Sequence, residues 1–379
     1  MGSSDVSKEK ARRSRDRLSN LPDPLLHQIF SCLDTKQAIQ SCVLSKRWRD
    51  FWVSLPHLNF DYRSFHTKSD FQNFVCKVLY SRLDNPIFGG KFGFHCGHCW
   101  KMDETLIKKV ISCVESHWFQ HLHMEVNTSL PDALLNSKSI ETLNLKWFKT
   151  LPQSLASFTM LNSLHLKNCW FDVYHQTDEF FDPFVNCPNL KNLSLTNCHF
   201  GMVKSFRISG MQLLSLSFEG SYRSRYRSLS FGSRYRRSYS WGYFWELKIE
   251  ILAPNLTSFR HDWMKPMDFG EISLPSVNFV DISVDRVCYR QYEEENDNMN
   301  VINMFRGLHK AQYVKLHYHT IEVLTLVPGL LEKQPSPFTN LKSLKLYLPY
   351  NTKSSKVPSH VMRYLLGDSS GADLIIVKS

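Results

Sequence analysis

The densest set of chemistry-bearing residues in this 379-residue chain is His95-Cys96-Gly97-His98-Cys99, with Cys113, His117, His121 and His123 downstream. Thiolates and imidazoles are the ligands zinc prefers, and a Cys-x-x-Cys pair is half of a four-ligand site. Cys96 and Cys99 supply that half, but no second Cys-x-x-Cys follows. His121 and His123 alternate around Leu122, as outward positions of a strand do. The expectation is core thiols and surface histidines, with no metal and no cofactor. A second set lies between Ser221 and Ser240, where Arg223, Arg225, Arg227, Arg234, Arg236 and Arg237 are interleaved with tyrosine and serine. Such a run can stack on bases and pair with phosphates. A low-complexity loop also closes at little free-energy cost in a repeat array. We expect a loop or a contact for an acidic partner here rather than a nucleic-acid site. The chain has no phosphate-cradling glycine loop and no Gly-x-Ser-x-Gly elbow, so catalysis is not expected.

Charge and length bound the rest. Of the net charge of +11, residues 1–17 carry +3 and residues 221–240 carry +6, so the remainder is nearly neutral. The polar, charged first seventeen residues predict no secretory signal. Ten cysteines in so long a chain predict a reducing compartment, the nucleus or cytoplasm or both. No apolar run approaches the ~20 residues of a membrane span. A chain longer than about 250–300 residues is expected to divide into domains or form a repeat array.

The elements near the N-terminus are helical. Asp23 is placed to cap a helix with Pro24 in its first turn, and Leu25, Leu26, Ile29, Phe30 and Leu33 follow at helical spacing. Asp34 with Gln37 reads as a second cap of the capping-box type. A last helical run carries Val43, Leu44, Trp48, Phe51 and Trp52. Three short helices in about forty residues are too small to bury so much apolar surface alone, so a partner is expected.

Leu21-Pro22-x-x-Leu25-Leu26-x-x-Ile29-Phe30-x-x-Leu33 and Val43-Leu44-Ser45-Lys46-Arg47-Trp48-Arg49 resemble an F-box of the plant F-box/leucine-rich-repeat kind. The resemblance covers about a tenth of the chain. It implies docking onto a Skp-type adaptor and, through it, Cullin and RING subunits of a ubiquitin ligase. The residues it implicates are Leu21, Pro22, Leu25, Ile29, Leu33, Val43, Leu44 and Trp48, which would meet the adaptor or order the surface that does. Ubiquitin transfer would belong to other subunits.

Beyond residue 60 an apolar pattern, φ-x-x-φ-x-φ, recurs. It appears as Phe119-x-x-Leu122-x-Met124, Ile140-x-x-Leu143-x-Leu145, Leu161-x-x-Leu164-x-Leu166, Leu190-x-x-Leu193-x-Leu195 and Met211-x-x-Leu214-x-Leu216. It continues as Val277-x-x-Val280-x-Ile282 and Leu341-x-x-Leu344-x-Leu346, with weaker copies around Phe259 and Val314. Several spacings are 21 residues, the period of leucine-rich repeats. Asn127, Cys169 and Cys198 fall where such a repeat accepts Asn or Cys. The expected fold is α/β, a leucine-rich-repeat solenoid (horseshoe) preceded by a small three-helix F-box domain. At about 4.8 Å per parallel strand the array should run roughly 40–45 Å. The segments are 1–16, a basic tail; 17–60, the F-box; 61–118, a helical join and first degenerate repeat; 119–350, the repeats with the 221–240 insertion; and 351–379, a C-terminal cap or the truncated start of a further domain. Segments 69–83 and 103–117 read as helices. Residues 172–186 and 289–303, including the acidic run 293–297, read as loops.

The outward strand positions are the candidate target-binding residues: Lys146, His165, Lys167, Arg260, Lys315, His317, Lys345 and Tyr347. Five cations face three carboxylates in the full outward set, which predicts a target with a partly acidic or phosphorylated segment. The leading expectation is a target-recognition subunit of a ubiquitin ligase. A non-degradative scaffold and a small-molecule-dependent receptor are the alternatives.

Overall fold

The computed structural model describes residues 21–378 except 50, 83–86, 98–101, 136, 156, 172–179, 201–202, 221–246, 264–266, 273, 285–293, 327–328, 351–356 and 368–370. The Arg/Tyr/Ser run, the basic tail, His98 and Cys99 lie outside the described residues. The chain divides into two compact units, residues 1–126 and 127–379.

The first unit opens with two short helices, α1 (Asp23–Ser31) and α2 (Thr35–Ser41). Asp23 does not cap α1. Pro22 occupies the cap position, and Asp23 and Pro24 are the first helical residues. The second cap is as expected: Gln37 N–H donates to Asp34 Oδ1 at 2.7 Å and Asp34 N–H to Gln37 Oε1 at 3.1 Å. The anticipated third α-helix is instead three 3-10 turns, Cys42–Leu44, Lys46–Trp48 and Phe51–Ser54. Two α/β repeats come next. Parallel strands β1 (His57–Asp61), β2 (Phe88–Gly97) and β3 (Trp118–Val126) are joined by α3 (Lys68–Ser81) and α4 (Glu104–Ser116). Thr67 and Asp103 cap these helices, and Phe71, Val75, Val110 and Val114 are buried. The strand series thus begins at Leu58 and Phe60, inside the segment assigned to the helical module.

The second unit is a parallel-strand array. Its main sheet holds β4 (Thr142–Lys146), β5 (Ser163–Lys167), β6 (Asn192–Thr196), β8 (Ser215–Gly220), β10 (Ser258–Trp263), β12 (Phe279–Val284), β13 (Tyr313–His317), β14 (Ser343–Leu348) and β15 (Asp373–Lys378). Each strand pairs in parallel with the next, so like positions form rows. One buried row runs Leu143, Leu164, Leu193, Leu216, Phe259, Val280, Val314 and Leu344. No strand covers its own apolar face, so stacking neighbours build one continuous core.

The row corrects one register. Leu216, not Leu214, pairs with Leu193, and Phe218 pairs with Leu195. Met211 and Leu214 are exposed, whereas Leu213, Leu216 and Phe218 are buried. The true repeat is Leu213-x-x-Leu216-x-Phe218. At the strand ends Trp147, Asn168 and Asn197 take positive φ of 67°, 54° and 51°. Their N–H groups donate to carbonyls of the following strand, those of Lys167, Thr196 and Glu219. Just beyond, the Cys169 thiol donates to Leu145 O and the Cys198 thiol to Leu166 O, each at 3.4 Å. Burial pushes the Cys169 thiol up to about 12. These two cysteines are ladder positions of the repeat, in accord with their spacing.

Return segments in the middle of this unit form a second parallel sheet, which the sequence pattern did not reveal. Its strands are β7 (Ser205–Ser209), β9 (Lys248–Leu252) and β11 (Asp268–Ile272). Phe269 of β11 meets Phe218 and Phe259 of the main sheet at 6.4 and 6.0 Å between ring centroids. Further on, α5 (Glu294–Gly307) replaces the expected acidic loop. Acidic residues are favoured in a helix's first turn, and Val301, Ile302, Met304 and Phe305 bury its later turns.

Candidate functional site

Two surfaces stand out, one in each unit. In the helical module Leu26, Phe30, Ala38, Trp48 and Leu55 fill the interior, with Leu21, Leu33, Phe51 and Trp52 half-buried against them. Phe30 meets Trp48 and Phe51 edge-on at 5.4 and 5.2 Å. Outside this interior, Leu25 and Ile29 on α1 remain 45% and 43% exposed. Val43 and Leu44 on the first 3-10 turn remain 87% and 69% exposed. Arg47 fixes this arrangement: it bonds Leu21 O at 2.7 Å and pairs with Asp23. Asp23, released from capping, is thus a clamp between α1 and the second 3-10 turn.

Arg82, at the end of α3, ties the module to the first α/β repeat. Its guanidinium donates to Leu55 O at 2.6 Å and Trp52 O at 3.2 Å. The side chain is buried, and burial pushes its pKa down to about 10. It satisfies carbonyls at the end of the last 3-10 turn.

The second surface is the outward face of the main sheet in the second unit. One outward row contains His165, Arg260, Asp281, Lys315 and Lys345, and the next contains Lys146, Lys167, Glu219, Asp262, His317 and Tyr347. All eight candidate target-binding residues therefore lie on one face, in two adjacent rows. Arg260 is held by Glu219 at 3.5 Å and Asp262 at 3.7 Å. His317 Nε2 lies 3.1 Å from Asp281 Oδ1 and stacks on Tyr347 at 4.7 Å. Burial opposes ionisation of Asp281, but the His317 hydrogen bond and the Arg260 and Lys315 charges outweigh it and lower its pKa. Partial desolvation lowers the pKa of His165.

Among the described residues the early histidine–cysteine cluster is split between core and surface, with Cys113 and His117 meeting at 3.8 Å. Strand alternation turns Cys96 into the core of the first unit and His95 outward, beside His123 and Glu125. Burial raises the Cys96 and Cys113 thiols, the latter to about 12, which disfavours the thiolate that metals bind. Among the described residues no group of three His, Cys, Asp or Glu is placed to hold a metal.

Residues 18–59 match the family model of the F-box domain. The chain carries an F-box. It is similar to proteins of Arabidopsis thaliana named as F-box/LRR-repeat and F-box/FBD/LRR-repeat proteins. One F-box/LRR-repeat protein is 25% identical over 348 residues, 87% of this chain and 66% of its own length. An F-box/FBD/LRR-repeat protein is 29% identical over 370 residues, 89% of this chain and 69% of its own length. Another F-box/LRR-repeat protein is 29% identical over 228 residues, 56% of this chain and 71% of its own. The chain thus spans about two thirds of the length of these relatives, and less of some others, 47% in one case.

Within the F-box the eight implicated residues separate by burial. Pro22, Leu25, Ile29, Val43 and Leu44 are exposed, Leu21 and Leu33 are half-buried, and Trp48 is 6% exposed. Trp48 cannot present its ring to a partner; it supports the surface from beneath. Sequence reasoning missed Arg82, because nothing local distinguishes a buried arginine from a surface one. It missed Glu219 through the register slip, and Phe279 and Tyr313 because they precede the two outward positions that the φ-x-φ pattern marks on each strand.

Proposed function

We propose that this chain is the non-catalytic, target-reading subunit of an SCF-type ubiquitin ligase. Its F-box docks onto a Skp-type adaptor, which brings Cullin and RING subunits. The outward strand face of the second unit holds the protein to be ubiquitinated. The observation that carries this reading is the set of four apolar side chains, Leu25, Ile29, Val43 and Leu44, left in water outside the buried cluster of the module. Burying each is worth on the order of 1 kcal/mol in apolar area alone. The subunit's contribution to transfer is proximity, which converts a bimolecular encounter into a local one.

The test has two stages. Purified chain is mixed with a Skp-type adaptor, and the variant Leu25→Ala/Ile29→Ala/Val43→Ala/Leu44→Ala is compared with it. Absence of binding by the unaltered chain sinks the proposal. The same variant is then expressed in place of the unaltered chain and protein abundance is compared proteome-wide. Accumulation of specific proteins supports target reading; adaptor binding without any accumulation replaces it with a non-degradative scaffold.

A further inference from the structure

The outward face of the second unit is segregated by charge, and the segregation becomes visible only with Glu219 in its proper register. At one end Lys146 and Lys167 are direct partners on adjacent strands. At the other end Lys315 and Lys345 are direct partners. Like charges opposite each other on neighbouring strands destabilise a sheet, and none of these four lysines is in an ion pair among the described residues. Between the two pairs the face is acidic. Glu219 and Asp262 are partners in register and hold Arg260, and Asp281, next along the sheet, lies opposite Lys315 and is bonded to His317.

Stacked aromatic rings flank the Lys315–Lys345 pair. Two residues before Lys315, Tyr313 stacks on Phe279 at 5.0 Å and an interplanar angle of 15°, and both rings are exposed. Two residues after it, His317 stacks on Tyr347, and Lys345 Nζ sits 5.2 Å over the Tyr347 ring. Rigid, exposed aromatic rings beside cations are the groups that dominate recognition energy. Five strand spacings separate Lys167 from Lys315, about 24 Å at the usual inter-strand distance. An extended chain covers that span in roughly seven residues.

We propose that this face binds an extended segment of a partner protein lying across the strands, with charges in the order acidic, basic, acidic and an aromatic side chain at the end over β12–β14. The acidic ends meet the lysine pairs, the basic middle meets Glu219, Asp262 and Asp281, and the aromatic side chain packs on Phe279 and Tyr313. A uniform polyanion such as RNA fits poorly, because the acidic centre repels it. The proposal rests on the second unit being the target-holding part.

The test measures fluorescence anisotropy of synthetic peptides with the full chain. One peptide carries two glutamates at each end, two lysines in the middle and a tryptophan beside one glutamate pair. Controls are a scrambled peptide of the same composition, a poly-glutamate peptide and a single-stranded RNA. The patterned peptide should bind at least tenfold more tightly than every control and weaken as salt rises. K315E/K345E should reduce its affinity at least tenfold while unfolding stays cooperative and adaptor binding is retained. Replacing the tryptophan-side glutamates of the peptide by lysine should restore binding to that variant. Equal binding of the scrambled peptide, tighter binding of poly-glutamate or RNA, or indifference to K315E/K345E would overturn the proposal. Adaptor binding by the same preparation is recorded in parallel, so a failure here with the adaptor still bound leaves the ligase reading standing.

Discussion

The F-box surface and the strand face of the second unit solve opposite problems. The first is small and apolar, four aliphatic side chains outside a buried cluster. The second is long and polar, with lysine pairs at its ends and carboxylates in its centre. Apolar area supplies affinity with little discrimination, whereas an arrangement of charges selects partners and sets their orientation. One chain thus carries a surface suited to burial and another suited to recognition by charge pattern.

Four variants test that contrast. The largest effect belongs beneath the F-box surface. Phe30→Ala should lower stability by about 3–5 kcal/mol, measured by denaturant unfolding of the full chain, because the ring is buried against Trp48 and Phe51. Val43→Asp/Leu44→Asp should do the reverse. Adaptor affinity should fall about a hundredfold, some 2.7 kcal/mol, in calorimetric titration, while the melting temperature hardly moves. Equal loss of stability in the two variants would erase the distinction between interior and surface.

Arg82→Met should cost about 1–3 kcal/mol by leaving the buried Leu55 carbonyl without its donor, while Trp52 O keeps the Leu55 N–H, read as lost amide-exchange protection in residues 42–55. On the side of the strand array, Trp147→Asn should stabilise by about 1 kcal/mol, because asparagine tolerates the left-handed backbone that a bulky residue resists. A rise of a few degrees in the melting temperature of the second unit checks it; a fall would mean that the indole's packing outweighs the backbone strain.

Much of this was legible in the residues. Asp34 and Gln37 announce their capping box because both partners are three residues apart, and the interaction is complete within one turn. Cys169 and Cys198 announce their place because the repeat period puts them beside carbonyls of the previous strand. The third F-box helix was not legible: apolar spacing cannot separate an α-helix from successive 3-10 turns when Ser45 between them is extended. Pro22 displaced Asp23 from its cap because proline already fixes the backbone that leads into the helix.

What local chemistry could determine, the sequence determined alone: alternating burial along most strands of the array, the period of the repeats, the Asp34–Gln37 cap, and an F-box with more apolar side chains than it can bury. The tertiary structure decided everything that depends on a neighbour. Between residues 211 and 218 two registers two residues apart both place leucines at the required spacing, and only pairing with Leu193 and Leu195 selects Leu216 and Phe218. The same pairing sets Glu219 level with Thr196 and Asp262, and so sets the order of charges along the outward face. The physical reason is that a strand's own pattern has period two, so a two-residue slip preserves it, while the cost of the slip falls entirely on contacts with the strands beside it.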